Sequence, residues 1–215
     1  MVCELKEIED CDICSECGRC ILTGDLIFLD AEGVFKGSGD VSIKNRLLYH
    51  LDCIILTIEK ELEEGESEQR EFKASFRGHN REESRRLERA IVKTISGFLN
   101  KNGGKLFIGV DDDGIPVGIE KDYNSLGGSK NRDEFEKFLC RIVRRMIGLG
   151  HNGLWKGDFY RIDNRDIYIV EVKKSPKPVI LEDDSKEYYC VREGTTTNSL
   201  PISQALIHSE ENFKA

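Results

Sequence analysis

Six of the eight cysteines of this 215-residue chain fall in its first quarter, at Cys3, Cys11, Cys14, Cys17, Cys20 and Cys53, and only Cys140 and Cys190 lie beyond it. Cysteines this crowded commit a segment either to disulfides or to a metal. The start, MVCELKEIED, is acidic and has no apolar core, which predicts neither a secretory signal nor a basic transit peptide. The expected compartment is the cytoplasm, where thiols stay reduced, so the cysteines are expected to be ligands or buried thiols.

The stretch CDICSECGRCILTGDLIF carries overlapping Cys-x2-Cys pairs, and YHLDC adds a His-x2-Cys pair at His50 and Cys53. Two residues between paired ligands let one tight turn aim both side chains at one ion, and Zn(II) accepts thiolates and imidazole in a tetrahedron. Gly18 follows Cys17, and a glycine there permits the left-handed backbone such turns use. The expected ligands are therefore Cys14, Cys17, His50 and Cys53, with the pairs Cys11/Cys14 and Cys17/Cys20 as alternatives. The 32 intervening residues read as one or two short hairpins, and LLYHLDCIILTIEKELEEG reads as a helix. The spacing resembles treble-clef fingers of the poly(ADP-ribose) polymerase type, with a slightly longer spacer. Four good ligands point to structural zinc holding a segment too small for its own core; a catalytic site would keep a position open.

A formal charge of −8 argues at first against nucleic acid, because a phosphate-binding surface has to be basic somewhere. The charge is divided unevenly. Residues 1–69 hold 17 acidic and 6 basic residues, whereas residues 70–215 hold 23 and 26. The polar run EKELEEGESEQ, interrupted by Gly65, places a boundary near residue 60, giving a zinc-binding module over 1–60 and a second domain over 61–215. No apolar run approaches the roughly 20 residues of a spanning helix, so no membrane association is expected.

In the second domain REFKASF alternates, with Phe72, Ala74 and Phe76 on one face and Glu71, Lys73 and Ser75 on the other, as in a strand wet on one side. An amphipathic helix is predicted over 84–100, stopping at Asn102-Gly103-Gly104. KLFIGV, DDDG and IPVGI read as a hairpin, and a second helix follows in NRDEFEKFLCRIVRRMIGLG. GDFYRID and DIYIVEVKKS flank an Asn164-Arg165 turn, Pro176 and Pro178 interrupt the ladder, EYYCVREG is a further strand and LPISQALIHSEENF a closing helix. The order implies an α+β fold: a mixed β-sheet with flanking helices, preceded by the small zinc-binding module.

ESEQREFKASF, the helix ending in SGFLNKNGG, the hairpin GGKLFIGVDDDGIPVGI, the strand IYIVEVKKSPKPV and the segment YYCVREGTTT, in that order, resemble the core domain of the Schlafen family, an AlbA-like DNA-binding domain. The resemblance covers roughly 68–200. It implies nucleic-acid binding and, as in some members, a metal-dependent endoribonuclease that cuts structured RNA such as tRNA or rRNA. The carboxylate trio of those nucleases falls on Glu66, Glu71 and Asp111. The family's horseshoe core uses two similar lobes and this chain has one copy, so a homodimer would be needed to supply a second wall. The chemistry is compatible: Mg(II) or Mn(II) on carboxylate oxygens polarises a phosphoryl group and activates water, and Lys73, sharing a strand face with Glu71, could stabilise developing negative charge.

Each residue also has an ordinary reading. Glu66 sits in an acidic run, Asp111 belongs to a DDDG turn where aspartate bonds local backbone, and Glu71 with Lys73 makes a commonplace surface pair. Independently of any cutting, residues 70–93 hold eight basic residues against four glutamates. Arg85, Arg89 and Lys93 recur at intervals of four and line one helix face, with Arg77, His79 and Asn80 nearby. Such a face can track phosphates, and it can equally be solvated and paired with Glu82, Glu83 and Glu88. Arg192, beside three threonines, suits phosphate or a structural pair with a core carboxylate. Two functions follow: a nucleic-acid-binding endoribonuclease, or a non-catalytic DNA- or RNA-binding regulatory module. A nucleotide enzyme is disfavoured, since GGKLFIGV is neither a phosphate loop nor a dinucleotide fingerprint.

Overall fold

The computed structural model describes residues 26–30, 33–36, 47–151 and 153–213, with side chains from residue 54 onward. The chain forms two compact units, Met1–Glu63 and Glu64–Ala215. Among the described residues no helix is long and apolar enough to cross a membrane.

In the first unit β1 (Leu26–Asp30) is flanked antiparallel by β2 (Gly33–Lys36) and β3 (Leu47–His50). Helix α1 (Leu51–Glu63) buries Ile54, Ile58 and Leu62, spaced by four along one stripe. The predicted helix from Leu47 is thus corrected: LLYH pairs with β1, because so short an apolar run has no periodicity to separate strand from helix. Cys14 and Cys17 lie outside the described residues, while His50 ends β3 and Cys53 falls in the first turn of α1.

The second unit is α+β, but its strands divide into two sheets where one was expected. β4 (Arg70–Lys73), β5 (Gly104–Ile108), β6 (Trp155–Ile162) and β7 (Arg165–Val172) form a mixed sheet in the order β4-β5-β7-β6, parallel only between β4 and β5. β8 (Ile180–Asp183), β9 (Lys186–Glu193) and β10 (Thr196–Leu200) form an antiparallel sheet. Helices α2 (Arg81–Leu99), α3 (Glu120–Ser125), α4 (Arg132–Ile147) and α5 (Ile202–Asn212) complete the unit.

Helix α2 explains the division. The Asn80 side chain caps it by accepting from Glu83 N at 2.9 Å, and Glu83 answers by accepting from His79 N at 2.8 Å. Its first half is amphipathic, but in its second half Ile91, Val92, Ile95, Ser96, Gly97, Phe98 and Leu99 are all buried, on every side. A helix end buried all round has structure on both faces, and α2 packs against strands of both sheets. Gly97 marks the tightest approach: a Cβ there would sit 2.5 Å from Thr197 Cγ2. The helix ends at Asn100, whose buried amide accepts from Val179 N at 2.8 Å and donates to Val179 O and Cys190 O at 2.8 and 2.9 Å, tying the second sheet to the helix end. Gly103 (φ 73°) and Gly104 (φ 159°) then turn the chain into β5, and at Gly104 a Cβ would lie 2.8 Å from Gln69 O, too close for another residue.

In the same core cluster, Phe135 of α4 meets Phe76 and Tyr168 edge to face, with centroids 4.9 and 5.3 Å apart. Each such buried ring contributes about 1.5–3 kcal/mol.

Three expectations are corrected by one group of contacts and two turns. The strand predicted through Phe76 stops at Lys73, and Ala74 is exposed. The cause is Asp122, which accepts from Phe76 N, Arg77 N and Ser75 Oγ at 3.1, 3.1 and 2.5 Å and draws that segment off the sheet. IPVGI makes a single bridge, Val110 with Pro116, because Gly109 and Gly118, both at positive φ, fold it back over β5. The β6–β7 turn is Asp163-Asn164, both left-handed, with Arg165 already opening β7.

Candidate functional site

β4, at the edge of the mixed sheet, carries Glu71, and Glu66 precedes the strand. Glu66 Oε1 accepts from Phe72 N at 2.9 Å, so it lies against the strand that carries Glu71. Glu71 is buried, and its two oxygens are held by Lys73 Nζ and by Arg192 Nη1. Lys73 also donates to Phe72 O at 2.7 Å. Asp111 follows β5 and closes its own turn, with Oδ1 accepting from Asp113 N and Ile115 N at 3.1 and 2.8 Å. Glu66, Glu71 and Lys73 are therefore brought together, and Asp111 is occupied locally. Among the described residues no group of three or more His, Cys, Asp or Glu is placed to hold a metal ion. As arranged, each of these carboxylates accepts from protein donors.

Of the two readings of Arg192, a phosphate contact or a structural pair with a core carboxylate, the structure has the pair, with buried Glu71. Arg192 is fully buried, with Nη2 donating to Ser67 O and Arg70 O at 2.7 and 2.9 Å and its guanidinium 5.4 Å from the Phe98 ring centroid. Tyr189, Cys190, Val191 and Arg192 of β9 are buried in succession, and Arg192 lies beside Thr197 across the β9–β10 pair. Arg77 is likewise committed: it pairs with buried Glu88, donates to Ser125 Oγ at 3.1 Å and lies 4.8 Å from the Phe138 ring.

The exposed cations gather elsewhere. Arg81, Arg85, Arg86 and Arg89 of α2 line a groove of about 980 Å³, with Arg145 of α4 opposite and Glu182, Asp183 and Asp184 at the β8–β9 turn. Arg89 is engaged by Asp183 at 3.2 Å and stacks on Tyr188 at 4.6 Å. Arg145 lies 3.8 Å from Glu88. Arg81, Arg85 and Arg86 are exposed and have no side-chain partner among the described residues. Lys93 is half-buried farther along the helix, toward the second sheet, and does not line the groove. Asn80 is committed to capping. Sequence reasoning passed over Arg81 and Arg86, although both lie on the helix face of Arg85 and Arg89. Arg145, more than fifty positions away, had no local signal.

A second polar cluster is structural. Arg132 donates to Asp166 Oδ1 and Oδ2 at 2.6 and 2.9 Å, and Tyr123 donates to Oδ2 at 3.0 Å. The Arg132 contact holds the Asp166 carboxyl below its ordinary range, whereas burial pushes Asp122 up.

The Schlafen, AlbA_2 family matches residues 66–201. No curated protein matches the chain. Among solved structures, the DIP2311 protein from Corynebacterium diphtheriae is similar at 14% identity and a TM-score of 0.49 over 75% of this chain. The chain spans 32% of that protein's length.

Proposed function

Because the chain belongs to the Schlafen, AlbA_2 family across residues 66–201, we propose that it binds nucleic acid, and that phosphates are held in the groove where α2 faces α4. The observation that carries this reading is the set of exposed arginines Arg81, Arg85 and Arg86, with no side-chain partner among the described residues, beside Arg89 and Arg145 in a groove of about 980 Å³. Glu182, Asp183 and Asp184 share that groove, so binding is localised and salt-sensitive. Fluorescence anisotropy with labelled RNA and DNA at graded salt tests it. Arg85→Ala/Arg86→Ala reduces the slope of log affinity against log salt by about one for each phosphate that is no longer neutralised. Unchanged affinity in that variant would falsify the assignment of this surface.

The finer reading is a divalent-metal endoribonuclease on tRNA or rRNA, with Glu66, Glu71, Lys73 and Asp111 as its residues and Mg(II) or Mn(II) as its ion. It is supported by the proximity of Glu66, Glu71 and Lys73, and it requires the carboxylates to release Arg192 and the backbone donors they now hold. The geometry favours the non-catalytic module. Incubation with tRNA and Mn(II) decides: cleavage abolished by Asp111→Ala supports the nuclease, and no cleavage supports binding alone. Structural zinc on Cys14, Cys17, His50 and Cys53 belongs to the same proposal. So does a homodimer covering the exposed Ile202, Leu206 and Ile207 of α5, which light scattering tests.

A further inference from the structure

A second cavity, of about 440 Å³, lies between α4 and β6 and is lined by Glu136, Cys140, Arg141, Arg144, Trp155 and Lys156. That size falls within the roughly 300–1,000 Å³ of small-ligand pockets. Resting on the nucleic-acid reading of the first groove, we propose that this cavity is a single-stranded subsite, taking one unpaired base against Trp155 and the flanking phosphates on Arg141, Arg144 and Lys156.

The charge supports an anion. Three cations face one acid, Glu136. Arg141 is shared with Glu134 at 3.0 Å and Lys156 with Glu171 at 3.2 Å, while Arg144 is exposed with no side-chain partner among the described residues. Three cations alone would bind any polyanion; the aromatic ring makes the site specific for bases. Trp155 stands on edge strand β6, half-buried and backed by the core. Gly157, on the same strand face, carries no side chain, and the Tyr168 ring occupies the place its Cβ would take. Gly157 thus adds no side chain beside the indole, and Trp155 is the one aromatic residue that lines the cavity. The indole N–H has no hydrogen-bond partner among the described residues, so packing alone holds the ring. Aromatic rings beside a basic track are how single strands are held without sequence readout, and a base locked in a duplex stack cannot reach such a ring.

Continuity supports the same ligand. Arg145 lines the first groove while Arg144 and Arg141, its neighbours on α4, line the second. A strand crossing that ridge passes from one row of arginines to the next.

Trp155 is the only tryptophan in the chain, so tryptophan emission reads this cavity directly. The full chain is titrated with a short single-stranded oligonucleotide, an abasic strand of equal length, a duplex and polyglutamate, while anisotropy of a labelled strand follows total binding. The single strand is expected to quench Trp155 and the abasic strand and duplex to quench it far less. Arg144→Ala/Lys156→Ala and, by anisotropy, Trp155→Leu each weaken single-strand binding roughly tenfold. Binding seen by anisotropy with silent Trp155 emission overturns the subsite and leaves the first groove standing. Loss of both signals overturns both. Quenching by polyglutamate but not by the oligonucleotide assigns the cavity to an acidic protein and ends the proposal, as does quenching at unchanged affinity in Arg144→Ala/Lys156→Ala.

Discussion

Replacing Arg192 by methionine keeps much of its apolar stem and removes a charge that is fully buried. In the native unit that charge meets Glu71, two backbone carbonyls at 2.7 and 2.9 Å and the face of Phe98, while its Nε has no hydrogen-bond partner among the described residues. Arg192→Met leaves Glu71 buried with only Lys73 and takes one donor from each of the Ser67 and Arg70 carbonyls, which keep the backbone N–H of the other residue. Breaking a buried pair from one side costs about 3–5 kcal/mol, a large share of the roughly 5–15 kcal/mol that holds a domain together. At roughly 2–4 °C per kcal/mol for a unit of this size, Tm falls by on the order of 10 °C. Urea denaturation followed by circular dichroism measures the loss. The double variant Glu71→Leu/Arg192→Met removes both charges of the buried pair and leaves Lys73, partly exposed, on Phe72 O; it recovers most of the stability, because a buried pair contributes little beyond a well-packed apolar replacement. A loss below about 1 kcal/mol in Arg192→Met, or a double variant as unstable as the single, would refute the claim that this pair locks β4 to β9. The same reasoning bears on cleavage assays. A Glu71→Ala variant that fails to cleave RNA is explained by unfolding as readily as by chemistry, so Glu71→Gln with a melting control is the informative variant.

Three further outcomes are expected. Gly97→Ala pushes a methyl to 2.5 Å from Thr197 Cγ2 and costs about 1–3 kcal/mol; adding Thr197→Ser removes the opposing methyl and restores stability, and a neutral Gly97→Ala in urea melts would show the approach is looser. Asp166, whose carboxyl Arg132 holds below its ordinary range, contributes stability above its unfolded pKa of about 3.9 that is lost as pH falls through the folded value; Asp166→Asn flattens that part of the acid limb, and an unchanged acid limb would contradict the linkage. Elemental analysis should find zinc in the purified chain and its loss in Cys17→Ala and His50→Ala. Retention there with loss in Cys11→Ala or Cys20→Ala would shift the ligand register.

Long-period features were legible. The α2 and α4 faces, the β5 strand, the hairpin of β6 and β7 and the closing helix follow from apolar spacing and turn residues that act over a few positions. What failed depended on partners far along the chain. Ala74 alternates correctly for a strand, yet Asp122, nearly fifty residues later, withdraws the neighbouring backbone. Val92, Ser96 and Gly97 sit off the apolar stripe, and their burial reports a second sheet that no local pattern announces. β8 was invisible because four residues after a proline pair carry no period, and its Ile180 is exposed.

By itself, the sequence determined which residue types were available: soft ligands crowded near the start, three carboxylates in a family order, and arginines at helical intervals on α2. Tertiary structure decided which of them are free to meet a ligand. Arg192 and Arg77 have the same chemistry as Arg85, but buried Glu71 and Glu88 claim them, since a charge taken out of water needs a fixed opposite partner. Arg85 and Arg86 stay solvated with no such partner among the described residues, and Arg145 joins them only because α4 packs beside α2. Spacing along a chain ranks candidates; burial and prior commitment select among them, because desolvation is set by the whole fold.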